Sequence, residues 1–524
     1  MLPGVAAIAP TLEAACMRRP GDPAITFAGS TTSYGGLWDQ VVALASAYRR
    51  LGIGAGDRVI CALRSCPEHL VALGAAWAAG VIHVGAHQDL TGPELASLVQ
   101  RTGASAVIAQ ARADAADTEA LLGQLREASP AVITIVHGTD HGTAVELAPL
   151  LRGSAPVGAR SEEPQRTAAL FLTSGTTGQP KLVVESMPAL MAKVQFFADE
   201  VQPASHDVQL MYLPLCHAFG LKLALMTLLS GGRLVMLDRF TPREALALVT
   251  DEGVTLLPGT PTHLALLLAA LDPARHRVGS LRWVITAAAS LPRPVAEQVY
   301  DRFAVKIFSV YGCSEGFLTA TADHHHVLCG SVGQRVFRGP PGTAPSGSVT
   351  VLDPDTHVPL RPGEMGEIAF SAATPVRYWN EPDAATDGWY HTGDVGRLDR
   401  HGWLYVLGRR KELVNRGGEK VAPGEVESAL VGHPSVADAA VVGTPDPVLG
   451  EAICACVTPA ASSPPPTLEE LRGFLAARLA RHKLPDELCV LEQLPRSPTG
   501  KLDRPALFNL VSGSDLPRQR HRPR

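Results

Sequence analysis

The chain of 524 residues is defined first by what it lacks. It has no strong charge of either sign: 46 Lys and Arg against 51 Asp and Glu leave a net charge of -5. That balance gives no electrostatic footprint for nucleic acid. Only the end is basic, with Arg518, Arg520, Arg522 and Arg524 near prolines, and residues 511–524 read as a disordered tail. A disulfide framework is missing too. The 9 cysteines are scattered, odd in number and without a C-x-x-C pair, which fits reduced thiols. The N-terminus has no basic-then-apolar signal pattern, its first positive residues being Arg18 and Arg19. The longest apolar run, residues 70–86, is interrupted by His83 and rich in Ala and Gly. It reads as a buried helix leading into a strand and not as a membrane span. Gly and Pro, at 49 and 42 residues, stay below the share of about 25–30% that marks low complexity. These absences leave a cytoplasmic globular protein, of an oligomeric state the sequence does not mark.

What is present is capacity for burial. Hydrophobic residues make up 46% and charged residues 19%, and the length allows more than one core. Residues 37–51 carry apolar positions at helical spacing, and 57–63 then read as a strand. A helix over 70–79 runs into a strand at 81–84, and Leu90-Thr91 caps a further helix before Glu94. Residues 103–109 and 131–136 are further strands. This alternation predicts a layered α/β domain with parallel pairing. Ser186 caps a helix begun by Pro188. In the last hundred residues the pattern gives a helix at 423–430, strands at 437–442 and 454–457, a loop at 462–466 and a helix at 468–479. His324-His325-His326 with Cys329 invites zinc, but consecutive histidines point different ways and no second pair stands at ligand spacing. These residues read as a loop.

One stretch organises the rest. Thr173-Ser174-Gly175-Thr176-Thr177-Gly178-Gln179-Pro180-Lys181 follows an apolar strand at 168–172. Its glycines free the backbone, its hydroxyls and N–H groups can turn inward on an anion, and Lys181 adds a point charge. The Walker pattern cannot be laid on it. Downstream stand Leu213-Pro214-Leu215-Cys216-His217-Ala218-Phe219-Gly220, Thr286-Ala287-Ala288-Ala289-Ser290-Leu291 and Val310-Tyr311-Gly312-Cys313-Ser314-Glu315. Gly388-Trp389-Tyr390-His391-Thr392-Gly393-Asp394 follows, then Gly408-Arg409-Arg410-Lys411-Glu412 and Asn415-Arg416-Gly417-Gly418-Glu419-Lys420. Last comes Pro498-Thr499-Gly500-Lys501, a tight turn that presents a lysine.

In this order the segments resemble the adenylate-forming superfamily of acyl-CoA synthetases, peptide-synthetase adenylation domains and luciferases. The resemblance is firm over roughly 165–505 and looser before it, where Gly85-Ala86-His87-Gln88 replaces a Pro-Leu-Asn-Pro-like segment. It implies an α/β fold with a large N-terminal domain of layered α/β subdomains (1–408), a hinge (409–412) and a small, mobile α+β C-terminal lid (413–510). By the same resemblance, Thr173, Ser174, Gly175, Thr176, Thr177, Gly178 and Lys181 grip the ATP phosphates. Tyr311 stacks on adenine beside Gly312 and Ser314, Ala287 and Ala288 stand where the family has glycines, and each adds only a methyl. Glu315 supplies an oxygen to Mg²⁺, Asp394 binds the ribose hydroxyls, and Arg409 contacts ribose or phosphate. Lys411 is the hinge, His217 walls the acid pocket, and Lys501 is catalytic. Gly417 and Gly418 leave room for a pantetheine arm. The implied reaction joins an aryl or short- to medium-chain carboxylic acid to AMP, releasing pyrophosphate, and then to CoA. A carrier-protein phosphopantetheine or an amine is the alternative acceptor. Relatives that take 2-hydroxybenzoates often have Asn directly after the His; Ala218 here argues against a 2-hydroxyl being read by hydrogen bond. A non-catalytic relative would be expected to lack Lys501, Asp394 or Glu315, and all three are present.

Overall fold

The structure, a computed structural model, describes residues 8–138, 144–152, 167–173, 181–316, 318–336, 349–371, 377–381, 389–417, 419–460, 463–496, 502–513 and 516–521. Two large sheets share one layer of helices. The first has seven strands in the order Val145–Glu146, Ile133–His137, Ala106–Gln110, Arg58–Ala62, Ile82–Gly85, Thr167–Leu172 and Leu182–Ser186. Its pairs are parallel except the last. The second has nine strands, parallel through its centre from Pro23–Phe27 to Lys306–Gly312, with antiparallel edges.

Period-2 alternation explains how one strand serves two cores. In Arg58–Ala62, Val59 and Cys61 join the cluster that includes Ile25, Leu210 and Phe308 of the nine-stranded sheet. Ile60 and Ala62 face the other way, onto Leu95, Leu98, Leu121 and Leu125 of helices Gly92–Thr102 and Ala115–Ala128. Helices Tyr34–Arg50, Pro67–Ala79, Met187–Val201 and Ala218–Leu229 fill the shared layer. The last of these is buried from Gly220 to Leu229, Lys222 included. A helix apolar on all sides belongs inside, and its one cation reaches Glu185 at 3.6 Å, beside Lys193 at 2.7 Å.

The expected caps are present. Thr91 and Glu94 form a capping box, and the Ser186 hydroxyl accepts from the Ala189 N–H with Pro188 in the first turn. Beyond the two sheets, a four-stranded sheet (Val349–Leu352, Gly366–Ser371, Trp389–Leu398, Leu404–Arg409) leads into a 3-10 turn, Arg410–Glu412. After it, Val414–Arg416, Glu419–Val421, Val436–Asp446, Gly450–Pro459, Glu487–Val490 and Arg518–Arg520 build a six-stranded sheet. Helices Pro423–Leu430 and Leu468–Ala476 cover one face and Arg504–Ser512 the other. The expected α/β architecture with a smaller α+β unit at the C-terminal end is the one observed.

Two expectations are corrected. His324–Leu328 is a short helix, because the Asp323 carboxylate accepts from the His326 N–H and caps it. The tail is not disordered over 516–521: Arg518–Arg520 pairs antiparallel with Glu487–Cys489, and Arg518 and Arg520 both bind the Glu487 carboxylate, at 3.2 and 2.8 Å. Residues 522–524 lie outside the described residues. No described helix is long and apolar enough to cross a membrane.

Candidate active site

The site gathers where the nine-stranded and four-stranded sheets meet. Tyr311 ends the strand Lys306–Gly312, and its hydroxyl donates to Asp394 Oδ2 at 2.5 Å. Removal of that hydroxyl from solvent, and then the Asp394 charge, raise its pKa well above a tyrosine's ordinary value, so it stays a donor. Asp394 is opposite Arg409 in the next strand, whose Nε stands 2.7 Å from Oδ1. Arg409 also donates to the Thr392 carbonyl at 3.2 Å, and Thr392 Oγ1 accepts from the Asp394 N–H at 3.0 Å. The Asp394 carboxylate is 7% exposed, one oxygen facing Tyr311 and the other Arg409, and each keeps a lone pair for a further donor. Glu367, 4% exposed, holds the turn from behind: it accepts from the Gly393 N–H at 3.0 Å and pairs with Arg410 at 3.2 Å.

Glu315 lies one turn beyond Tyr311. Tyr378 donates to its Oε1 at 3.0 Å and meets the Tyr390 hydroxyl at 3.0 Å. Burial first, with the nearby Glu315 charge adding to it, holds both phenols well above their ordinary pKa. Lys181 Nζ sits 4.4 Å from the centre of the Tyr378 ring and 3.2 Å from Glu381. The ends of the phosphate-loop segment are pinned together, since Thr173 N–H donates to the Lys181 carbonyl at 2.9 Å and Lys181 N–H to Thr173 Oγ1 at 3.1 Å. Ser174, Gly175, Thr176, Thr177 and Gly178 lie outside the described residues. The Glu315 carboxylate fits Mg²⁺, a hard cation that needs only one or two protein carboxylates and takes its remaining oxygens from phosphates and water. Gly312 ends its strand and Ser314 follows in the turn. At Gly316, φ is +123° and an added Cβ would stand 3.3 Å from Lys193 Nζ, so the buried Lys193–Glu185 pair underlies the loop.

Ala287 and Ala288 follow the strand Trp283–Thr286. Ala287 is buried, and Ala288 has φ +75°. The added methyl is therefore not the whole departure: the backbone at 288 adopts the left-handed conformation that favours glycine.

On the acid side, His217 occupies the N-cap position of helix Ala218–Leu229, its ring 6.4 Å from that of His87. Burial lowers the His87 pKa. Gly85, part of the segment that departs from the family's sequence, has a reason for being glycine: a Cβ there would stand 2.9 Å from the Cys216 carbonyl oxygen. Tyr212, Phe240 and His263 pack ring to ring, at 4.5–5.0 Å between centres.

From the C-terminal unit, Arg496 donates to Thr262 Oγ1 at 2.9 Å and pairs with Asp438 at 2.5 Å. It also bridges to Leu502, so the two ends of residues 497–501 lie side by side. Lys501 itself lies outside the described residues, as does Gly418. Gly417 has φ +60° and closes the hairpin between Val414–Arg416 and Glu419–Val421. Lys411 is the middle of the 3-10 turn. Sequence reasoning missed Tyr378, Tyr390, Glu367 and Arg496 as members of the site. With only 8 tyrosines in the chain, the Tyr378-Trp379 pair was the available signal.

A family model described as "AMP-binding enzyme" matches residues 12–377, and "AMP-binding enzyme C-terminal domain" matches 425–501. Pyochelin synthase PchD of Pseudomonas aeruginosa (strain UCBPP-PA14) is 31% identical over 509 residues, covering 95% of this chain and 91% of that protein. The 2-hydroxy-7-methoxy-5-methyl-1-naphthoate–CoA ligase of Streptomyces carzinostaticus is 33% identical over 500 residues, covering 91% and 88%. Among solved structures, the amide bond synthetase McbA from Marinactinospora thermotolerans superposes with a TM-score of 0.82 at 26% identity, covering 96% of this chain and 99% of that one.

Proposed function

The chain belongs to the family of AMP-binding enzymes, and on that premise we propose that it joins an aromatic or short- to medium-chain acyl carboxylic acid to AMP and then to the thiol of CoA. The single observation that carries the reading is the convergence of Tyr311, Asp394 and Arg409 beside Glu315 and the base of the phosphate loop. A carboxylate oxygen of the acid attacks the α-phosphorus of ATP, the bond to the β-phosphate oxygen breaks, and pyrophosphate leaves with the electron pair. Little proton transfer is required, so positioning and electrostatics carry the rate. Asp394 accepts the ribose diol, Tyr311 backs the adenine, and Arg409 turns from Asp394 toward the nucleotide. Thr173, Ser174, Thr176, Thr177 and Lys181 hold the phosphates. Mg²⁺ at Glu315 supplies charge neutralisation when bound. Lys501 bridges the acid and the α-phosphate. Rotation about Lys411, within a hinge at 409–412, then exchanges Lys501 for Gly417 and Gly418, past which the pantetheine arm reaches the anhydride.

Lys501→Ala is expected to slow acid-dependent ATP–pyrophosphate exchange by roughly 10²–10³ with ATP affinity little changed. Near-normal exchange would overturn the assignment. The acid and acceptor are tested by a panel of acids, each with CoA, without it, and with amines. CoA-dependent thioester is the expected product, and a 2-hydroxyl should bring no gain, because Ala218 presents only a methyl next to His217. Amide formed with equal ease in the absence of CoA would favour the second reading, which the likeness to McbA supports.

A further inference from the structure

Away from the nucleotide site, in the layer shared by the two large sheets, three donors converge. Cys61 Sγ and ring nitrogens of His69 and His83 lie within 4.8 Å of one another. Cys61 and His83 come from adjacent parallel strands in which Val59 pairs with His83 and Cys61 with Gly85, so they are diagonal neighbours on one face. His69 descends from the first turn of helix Pro67–Ala79. Their exposures are 0%, 1% and 1%.

The hydrogen bonds fix which nitrogen of His69 carries the proton. Its Nδ1 lies 3.2 Å from the Leu63 carbonyl oxygen and 3.3 Å from that of Arg64. Carbonyls only accept, so Nδ1 is the donor and Nε2 of the neutral ring is a bare lone pair. Among the described residues that buried Nε2 has no partner. Imidazole anchored by one nitrogen on backbone carbonyls, with the other presented, is how proteins orient a metal-binding histidine. The Tyr48 hydroxyl is likewise buried and without a partner among the described residues.

We propose that Cys61, His69 and His83 bind a divalent transition-metal ion of the zinc class. Thiolate with imidazole selects such an ion over Mg²⁺ or Ca²⁺. Binding replaces the Cys61 S–H bond with a sulfur–metal bond and sends the proton to solvent. The ion sits under the acid-pocket segment: Gly85 packs on Cys216, and Ser65, between Cys61 and His69 in sequence, donates to the Leu213 carbonyl at 2.8 Å. Its role is structural, tying the strand pair, the helix start and that segment together. Two other donor trios are weaker. In the trio of Cys66, Glu68 and His137 only Cys66 is buried, and His137 Nε2 already stands 3.8 Å from the Glu68 carboxylate. Cys454, Cys456 and Cys489 satisfy each other, with Cys454 and Cys489 sulfurs 3.8 Å apart.

The test is full-length protein produced with Zn²⁺ or Co²⁺ in the medium, purified under reducing conditions, with bound metal measured directly. The expected result is one ion per chain, a thiolate-to-cobalt charge-transfer absorption, and an unfolding midpoint that falls when the metal is stripped. His69→Asn keeps an amide donor for the Leu63 carbonyl but removes the ligand nitrogen, and should lower affinity at least about tenfold. Cys61→Ser should abolish the absorption, and Cys456→Ala should leave it intact. Folded wild-type protein carrying only traces of metal overturns the proposal, as does an absorption unchanged in His69→Asn or lost in Cys456→Ala. Should the core variants not fold, metal content of the wild type and of Cys456→Ala decides alone.

Discussion

Ala288 holds φ +75°, where an L-residue is strained by about 1–2 kcal/mol. Glycine there would relieve the strain but enlarge the unfolded ensemble, at about 0.4–1 kcal/mol. The net for Ala288→Gly is a gain of about 1 kcal/mol, read as a higher denaturant midpoint; a lower midpoint would mean the methyl's packing outweighs its strain. Lys222 is the second case. Burial, then the Lys193 charge, bring its pKa down from 10.5 to about 8. The unfolded chain therefore holds this proton at higher pH than the folded one, and stability rises with pH between about 8 and 10.5, flat below that window. At about 1.4 kcal/mol per unit the full penalty at neutral pH is on the order of 3 kcal/mol. Lys222→Met should recover much of it and flatten the pH profile over that window. Lys193→Met should instead destabilise by about 3–5 kcal/mol, leaving Glu185 with only the longer contact. At this scale the sequence marked positions that lie in continuous motifs, as at Tyr311, Glu315 and Asp394, which the fold brings to one place. It was silent where a partner arrives from elsewhere: Tyr378 is 63 residues from Glu315, and Glu367 holds Gly393 from 26 residues away.

Among the elements, the strands and capped helices of the large domain were legible because period and punctuation agree, as in Thr91-x-x-Glu94 and Ser186-Met187-Pro188. The final strand was not, since three residues of Arg-Gln-Arg show no apolar period and are held by Glu487. The His324 helix was hidden for a related reason: its signal is a single Asp cap, and three histidines drew attention to ligation. The Arg496 bridge was invisible too, because it depends on the placement of the C-terminal unit against the large domain. That bridge has a functional reading. A partly exposed hydrogen bond adds little to stability, about 0.5–1.5 kcal/mol, yet it exists only in the pose in which Arg496 meets Thr262. Thr262→Val is therefore expected to leave the unfolding midpoint nearly unchanged while slowing pyrophosphate exchange about threefold to tenfold, with acyl transfer from preformed acyl-AMP unaffected. Equal loss in both half-reactions would tie Thr262 to the pocket and not to the pose.

For the molecule as a whole, the C-terminal sheet ends on a strand that looks dispensable and is not. Glu487 is 4% exposed and its carboxylate is answered by Arg518, Arg520 and Thr444, at 3.2, 2.8 and 3.1 Å. A stop codon introduced after Ser512 would strip both cations from a dry anion and bare the backbone edge of Glu487–Val490. The expected cost is about 3 kcal/mol, seen as earlier melting of the C-terminal unit, with Glu487→Gln in the shortened chain restoring part of it. Trimming the gene at that point for crystallisation therefore removes three rungs from the rim of a sheet and leaves an unpaired strand edge.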